Sequence, residues 1–235
     1  MCKNERIIQS TILAVSIVIL GLCVKGGIDN YAEKDRTVTV KGLAEKEVPA
    51  DKVTWPIPTK ELGNDLPELY SRINATTAKV TAFLRQNGIK DSEISVNAPV
   101  VIDLNADQYR NNASGYRYNV TSVITVTSGN VKLVRNIISR QGELLRQGVA
   151  VVDGGYQNAT RYEYVGFQAM KPKMMQEAIK NARLTADQFA ESSNSSIGKI
   201  HTAGQGQFSI EDRDENTPYI KKVRVVTTVT YTLED

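Results

Sequence analysis

The sequence predicts an α+β fold in which antiparallel sheets carry three helices on one face, preceded by one N-terminal transmembrane helix. Stretches in which apolar and polar residues alternate are typical of strands with one buried face. Three longer stretches place apolar residues at helical spacing. The resulting order, β-β-α-β-β-α-β-α-β-β, is that of segregated antiparallel strands with helices packed against them, which defines the α+β class.

The N-terminal apolar stretch begins at Ile7, ends at Val24 and contains 18 residues. As a helix with a rise of ~1.5 Å per residue it would be about 27 Å long, enough to cross the hydrocarbon core of a bilayer. Lys3 and Arg6 precede it, and positive charge before a first helix tends to remain in the cytoplasm. We therefore predict a signal-anchor over residues 1–25, with the rest of the chain outside the cytoplasm.

Three alternatives to a retained anchor stay open. A cleaved signal peptide requires a pattern of small residues, and the residues around Gly21 and Leu22 do not form one. Acylation at Cys23 would make a lipoprotein, although Leu22 is bulky for the position before the modified cysteine. A buried core helix is disfavoured because the stretch is apolar all round and lies at the extreme N-terminus.

The residues after the apolar stretch exclude several kinds of site. Cys2 and Cys23 are the only cysteines, so the later part of the chain has no thiol nucleophile, disulfide or thiolate zinc site. His201 is the only histidine and falls in a predicted strand. The acidic residues 211–216 lack the spacing of an EF-hand and predict a solvated turn. We therefore predict no catalytic residue, cofactor or metal, and a protein that is not an enzyme.

The charge pattern argues against nucleic acid as a partner. The formal net charge is +3, and charged residues make up 23% of the chain. Basic and acidic residues are interleaved, whereas a nucleic-acid-binding protein usually concentrates its basic residues on one face.

Residues 26–36 are polar and predict a linker, followed by a folded domain over 37–235. Helices are predicted over 65–88, 130–148 and 168–192, with Asp65 and Asn130 as N-caps. Strands are predicted over 37–48, 52–60, 92–104, 116–127, 149–152, 159–165, 197–210 and 222–233. Pro56 and Pro58 cannot donate to a ladder, so the second strand is predicted at an edge or at a bulge. The pattern allows two lobes, 37–60 with 105–235, and 61–104.

Several short stretches of the sequence form a recognisable set. They are residues 40–42, 48–53, 87–89, 91–95 and 116–126, the helix with Ala178, Ala182, Arg183, Ala186 and Ala190, and residues 197–200. Together they resemble the SIMPL-domain family of bacterial envelopes. In order and spacing they cover nearly all of residues 36–235. The chain departs from the pattern at Ser196, where a glycine is common, and at the strand with two prolines.

This resemblance implies an envelope location, ring-like homo-oligomers as in some members, and no accepted catalytic residues. The family includes proteins described as oxidative-stress defence proteins and outer-membrane antigens, so it also suggests a stress-related role. We predict a single-pass protein of the bacterial cytoplasmic membrane whose domain lies in the periplasm. It would assemble with itself or bind another envelope component whose identity the sequence does not specify.

Aromatic residues are the candidate interface residues, because tyrosine and tryptophan are enriched at protein contacts. We select Trp55, Tyr116 and Tyr118. The alternative function is that of a periplasmic small-molecule binding module with a groove between the lobes. An apolar pocket with converging polar groups would favour that alternative, and an exposed apolar strand edge would favour assembly.

Overall fold

The computed structural model describes the backbone of residues 2–33, 36–106 and 115–234, with side chains described from residue 13 to 28 in the first range. The helices in these ranges are α1 (Cys2–Glu33), α2 (Leu66–Gln86), α3 (Val131–Ser139), α4 (Gly142–Arg146) and α5 (Phe167–Ser192). The strands are β1 (Thr37–Pro49), β2 (Lys52–Gly63), β3 (Ile94–Val96), β4 (Val100–Asp103), β5 (Tyr118–Ser128), β6 (Arg161–Glu163), β7 (Ser196–Gly204), β8 (Phe208–Asp212) and β9 (Ile220–Glu234). The predicted α+β class with antiparallel sheets is confirmed.

Helix α1 is longer than the apolar stretch from which it was predicted. It continues through residues 26–33, which the sequence assigns to a linker, although Gly26 and Gly27 lie within it. Glycine weakens a helix by about 1 kcal/mol relative to alanine but keeps its backbone N–H, so it need not end the helix. Side chains 7–12 of the predicted membrane span lie outside the described residues. Within the described part, no helix has the length and apolarity of a membrane span.

The chain forms two compact units. Unit 1 comprises Met1–Lys46, Met170–Ser209 and Val223–Asp235, and unit 2 comprises Glu47–Ala169 and Ile210–Lys222. These boundaries differ from those of the lobes predicted above. The physical reason is the pairing of β3 and β4 with β5, from Ile94 opposite Val126 to Asp103 opposite Tyr118, which joins residues that the predicted lobes separate.

Unit 1 is built on a sheet and on the small residues of α5. The sheet has the order β1–β9–β7, with β8 also paired to β9. Helix α5 buries Met174, Ala178, Ala182, Ala186 and Ala190. A Cβ added at Gly42 in β1 would lie 2.6 Å from the backbone nitrogen and 2.8 Å from the Cβ of Ala182, and closer still to the carbonyl oxygen of Ala178. The helix backbone therefore rests directly on β1, which only glycine permits.

Unit 2 contains the second sheet, with the order β3–β5–β2–β6 and with β4 also paired to β5. Its core draws residues from β2, β5, α2, α3 and α4. The buried members are Ala50, Val53, Trp55, Ile57, Val80, Phe83, Leu84, Ile89, Ile124, Val126, Val131, Val134, Ile137, Leu144 and Val149. Alternate residues of β5 face this core, as the alternating sequence predicts.

The prediction that β2 is an edge strand is wrong, because β2 lies between β5 and β6. The prolines nevertheless occupy a locally open side, since β6 pairs only with Lys52–Thr54. The Pro58 carbonyl accepts a hydrogen bond from the N–H of Val152 (3.0 Å), on the side of β2 away from β5. Pro56 and Pro58 share this orientation, so their missing N–H groups remove no bond from the β2–β5 ladder.

Several predicted elements are divided in the structure. The helix predicted over 130–148 is two helices, α3 and α4, and the break falls at Arg140 and Gln141, just before the poor helix former Gly142. In the part of the chain that the structure describes, five α-helices therefore replace the four expected. The strand over 92–104 is interrupted by Pro99, and the one over 197–210 by residues 205–207. Of residues 149–152, only Val151 makes a bridge.

The helix caps agree with the sequence. The Asp65 carboxylate accepts the N–H of Glu68 (2.9 Å), and the Asn130 side chain accepts the N–H of Leu133 (3.1 Å). Gly88 and Gly148 follow α2 and α4 with φ of +90° and +77°. Such positive φ angles are the ones that favour glycine beyond a helix end.

The predicted acidic turn is organised by Asp214. Its carboxylate accepts the backbone N–H groups of Asn216 (2.9 Å) and Thr217 (2.7 Å) and the hydroxyl of Thr217. It also pairs with the guanidinium of Arg213 at 3.0 Å. The Thr217 hydroxyl and Arg213 together lower the pKa of Asp214 from 3.8 to about 2.

We expect replacement of Thr217 by valine to raise the pKa of Asp214, because the largest stabilisation of the carboxylate is removed. The lowered pKa means that the ionised carboxylate stabilises the folded chain above about pH 4, and that this contribution is lost as the pH falls through about 2. An NMR titration of the Asp214 side-chain carbon measures the pKa. Thr202→Val, at an exposed site in β7, is the control and should leave it unchanged. An unaltered pKa in Thr217→Val would contradict this account of the turn.

Candidate functional site

Two surface features of unit 2 are candidates for function. The first is an open cavity of about 670 Å³, here called the Arg135 cavity, which is lined by the β1–β2 turn, the start of α3 and two tyrosines. The second, called the β4 edge, consists of Val100, Val101 and Ile102 in β4. All residues of both features belong to unit 2. The small-molecule groove in the sequence-based alternative was instead predicted between lobes.

One wall of the Arg135 cavity is the turn at Pro49, Ala50 and Asp51, which the sequence predicts. The N–H of Ala50 donates to the carbonyl of Tyr219 (2.9 Å), and that of Asp51 to the carbonyl of Glu163 (3.0 Å). The Asp51 carboxylate accepts the N–H groups of Val165 (2.6 Å) and Gly166 (2.7 Å). Asp51 is therefore engaged in holding neighbouring backbone in place.

Another part of the lining places a cation against an aromatic ring. The Cζ atom of Arg135 lies 3.2 Å from the centroid of the Tyr219 ring. The rings of Tyr219 and Tyr162 meet edge to face, with centroids 6.1 Å apart. Burial raises the pKa of Tyr162, so its hydroxyl stays protonated at neutral pH. Lys132, one turn before Arg135 on α3, is exposed and also lines the cavity.

Sequence reasoning did not single out Arg135. The available signal was the i, i+3 spacing of Lys132 and Arg135 on a capped helix, which places both cations on one face. Their position next to the β1–β2 turn and Tyr219 is set by tertiary contacts that local pattern does not contain.

The β4 edge exposes three successive apolar side chains. Val100, Val101 and Ile102 are 61%, 50% and 46% exposed. Val101 stands opposite Val120 of β5 and shares with it an apolar groove of about 260 Å³, whose other walls are Leu66, Tyr70 and Pro99. Among the residues that the structure describes, β4 pairs with β5 alone. The outer side of this strand is therefore an open sheet edge.

The three aromatic residues predicted at an interface occupy different environments. Trp55 is 3% exposed and lies in the core of unit 2, so it lacks the surface position that an interface residue needs. Tyr118 is half-buried in β5 and packs against Leu69, Ile73 and Val120. Tyr116 is exposed and precedes β5. Because Tyr118 pairs with Asp103 of β4, the two tyrosines lie on the same hairpin as the β4 edge.

The remaining candidate residue, His201, lies in β7, as the sequence predicts, and is exposed. In the acidic turn 211–216, Asp214 accepts hydrogen bonds from Asn216 and Thr217, and Asp212 forms an ion pair with Lys221.

Two units, each with its own antiparallel sheet and helices, define the class of this protein as a two-unit α+β domain behind a long N-terminal helix. The model of the SIMPL family, described as a protein of unknown function (DUF541), matches residues 38–232. The chain therefore belongs to the SIMPL family, which confirms the resemblance seen in its sequence. A comparison with curated proteins gave no match.

Proposed function

We propose that this SIMPL protein is a non-catalytic, membrane-anchored component of the bacterial envelope that acts by contact with other proteins, chiefly copies of itself. The apolar stretch from Ile7 to Val24 supports an anchor in the cytoplasmic membrane, with the domain in the periplasm. Family resemblance supports the envelope location and the homo-oligomer. A stress-related role is supported by resemblance alone.

The observation that carries the proposal is the β4 edge. An open strand edge presents backbone donors and acceptors that can pair with another chain, and soluble proteins usually protect such edges with charge. Residues 100–102 carry no charge. Asp103, the next residue, is held by two N–H groups of Arg117 at 3.0 and 3.1 Å. The edge therefore favours addition of a strand rather than preventing it.

A second copy of the chain is the partner that the β4 edge fits. Antiparallel pairing of β4 with β4 of another copy would be self-complementary about a two-fold axis, which is the commonest symmetry of homo-oligomers. In that arrangement the outward-facing backbone N–H and C=O groups of Val100–Asp103 would hydrogen-bond to the same segment of the second copy. Pro99 would limit the pairing to residues from Val100 onward, because it lacks an N–H. The apolar groove beside Val101 would take a side chain of the partner.

The mass of the full chain in detergent micelles, measured by light scattering after size exclusion, tests the proposal. We expect a discrete multimer whose dissociation constant rises at least tenfold in Ile102→Lys, because the lysine ammonium opposes burial of the edge. Leu145→Lys is the matched control, since Leu145 is an apolar side chain that is 63% exposed on α4 and is not part of the β4 edge. A monomer over a wide concentration range, or an Ile102→Lys protein that assembles like the control, would overturn self-assembly through this edge.

A further inference from the structure

The Arg135 guanidinium is held in place but has no acceptor for its hydrogen bonds. The guanidinium lies over the Tyr219 ring. This contact uses the face of the guanidinium, and its five N–H donors, which lie in the guanidinium plane, remain free to bind an acceptor. Within the described part of the chain, no oxygen accepts a hydrogen bond from Arg135 and no carboxylate lies within ion-pair distance. A half-buried guanidinium is usually paired with a carboxylate or phosphate. Arg135 instead lines a cavity of ligand size.

The charges lining the cavity define the charge of its ligand. Lys132 and Arg135 contribute two positive charges, and Asp51 contributes one negative charge. The Asp51 carboxylate accepts two backbone N–H groups at the wall, from Val165 and Gly166. The net charge of about +1 matches a single negative charge, whereas a polyanion would be opposed by Asp51.

The uncharged part of the lining defines the rest of the ligand. Val48, Pro49, Ala50, Val131, Ile220 and the ring of Tyr164 form apolar walls. A volume of about 670 Å³ lies in the ~300–1,000 Å³ range of small-molecule sites. A bare inorganic anion would leave these walls in contact with water. An apolar body attached to the anionic group would cover them.

The Arg135 wall is preorganised for binding. The Tyr219 carbonyl is fixed by the N–H of Ala50, and its ring by the edge of Tyr162. Tyr219 also follows the turn that Asp214 stabilises through Thr217. A ligand therefore meets a guanidinium whose orientation is already set, which lowers the entropic cost of binding.

We propose that the Arg135 cavity binds an organic monocarboxylate with an aromatic or aliphatic body, whose carboxylate pairs with the planar donors of Arg135. Guanidinium and carboxylate match in geometry through two parallel N–H···O bonds. Lys132 adds positive charge at the cavity mouth, and the apolar walls hold the body. This role is independent of assembly through the β4 edge.

Calorimetry on the full chain in lipid nanodiscs tests this inference, with 3-phenylpropionate as the probe and empty nanodiscs as the blank. We expect one probe bound per chain. The neutral isostere 3-phenylpropionamide should bind at least tenfold more weakly, because it cannot form the ion pair. Inorganic phosphate, which lacks the apolar body, should also bind at least tenfold more weakly. Equal affinity for acid and amide, or no binding of the acid, would overturn the proposal.

Variants assign the binding to this cavity. Arg135→Gln should weaken 3-phenylpropionate binding at least tenfold, and Arg146→Gln, an exposed site on α4 outside the cavity, should change it less than twofold. Gly129→Leu is a second variant that keeps both cations. A Cβ at Gly129 would have only the Asp51 carbonyl oxygen within 4 Å, at an ordinary 3.6 Å, and Gly129 lines the cavity, so we expect the leucine to reduce the space for a ligand. Circular dichroism checks folding, and retained binding in a folded Gly129→Leu protein would place the site elsewhere.

Discussion

Replacing Gly42 by leucine should destabilise the protein by roughly 3 kcal/mol or more, because overpacking against backbone cannot be relieved by side-chain rotation. The new Cβ would lie 2.6 Å from the backbone nitrogen of Ala182 in α5. Helix α5 would have to move off the sheet and would uncover the buried Ala178, Ala182 and Ala186. Since a natural domain is stable by only about 5–15 kcal/mol, this is a large fraction of the total.

Thermal unfolding followed by circular dichroism measures the effect, which should lower the melting temperature of a chain of this size by about 6–12 °C. Gly204→Ala is the matched control in the same unit. A Cβ at Gly204 would meet only the carbonyl oxygen of Thr228, at an ordinary 3.9 Å. If Gly42→Leu melted like this control, the close approach of α5 to β1 would be wrong.

Truncating Trp55 to alanine should cost about 3–5 kcal/mol, because a large buried ring is replaced by a cavity. Trp55 lies among Ile57, Phe83 and Val126 in the core of unit 2. Denaturant unfolding monitored by circular dichroism gives the free energy of unfolding. Trp55→Phe, which keeps an aromatic ring, should lose clearly less than the alanine variant.

Tyr156→Ala serves as the comparison for this experiment, since Tyr156 is 92% exposed in the same unit. Its removal should change the free energy of unfolding by less than about 0.5 kcal/mol. An interface role for an exposed Trp55 makes the opposite prediction, in which Trp55→Ala impairs assembly and leaves unfolding nearly unaltered. The two outcomes distinguish a role of Trp55 in the core from a role in a contact surface.

The parts of the fold that the sequence predicts are those determined by neighbours in the chain. Asp65 and Asn130 cap their helices because each reaches an N–H three residues on. Strand β9 shows regular alternation, and its buried residues follow that alternation from Lys221 to Tyr231. The order of many weak local signals also identified the family, which the match over residues 38–232 confirms.

The incorrect predictions concern positions whose environment depends on distant residues. Pro56 and Pro58 suggested an edge, but β5 covers one side of β2 and leaves the proline side partly open. Trp55 was selected for an interface as an aromatic residue, whereas it lies in the core and faces Val126 across the β2–β5 pair. Strand partners separated by a helix and two further strands cannot be deduced from the periodicity of one strand.

The candidate sites were predictable to different extents. Tyr116 and Tyr118 were selected for their residue type, and the structure places both on the hairpin that carries the β4 edge. The apolar run of Val100, Val101 and Ile102 was visible only as part of a strand. The Arg135 cavity combines α3 with Tyr219 from the other end of unit 2, and nothing in either segment alone indicates the other.

The pairing of β1 with β9 has a consequence for how the protein is made. These strands lie side by side, and the hydroxyls of Thr39 and Thr230, 2.9 Å apart, belong to residues 191 positions apart in the chain. Contacts between such distant residues form slowly, because the intervening chain must first lose its freedom. During synthesis, β1 therefore stays unpaired until β9 has emerged from the ribosome. An unpaired strand of this kind is prone to aggregate before the domain is complete.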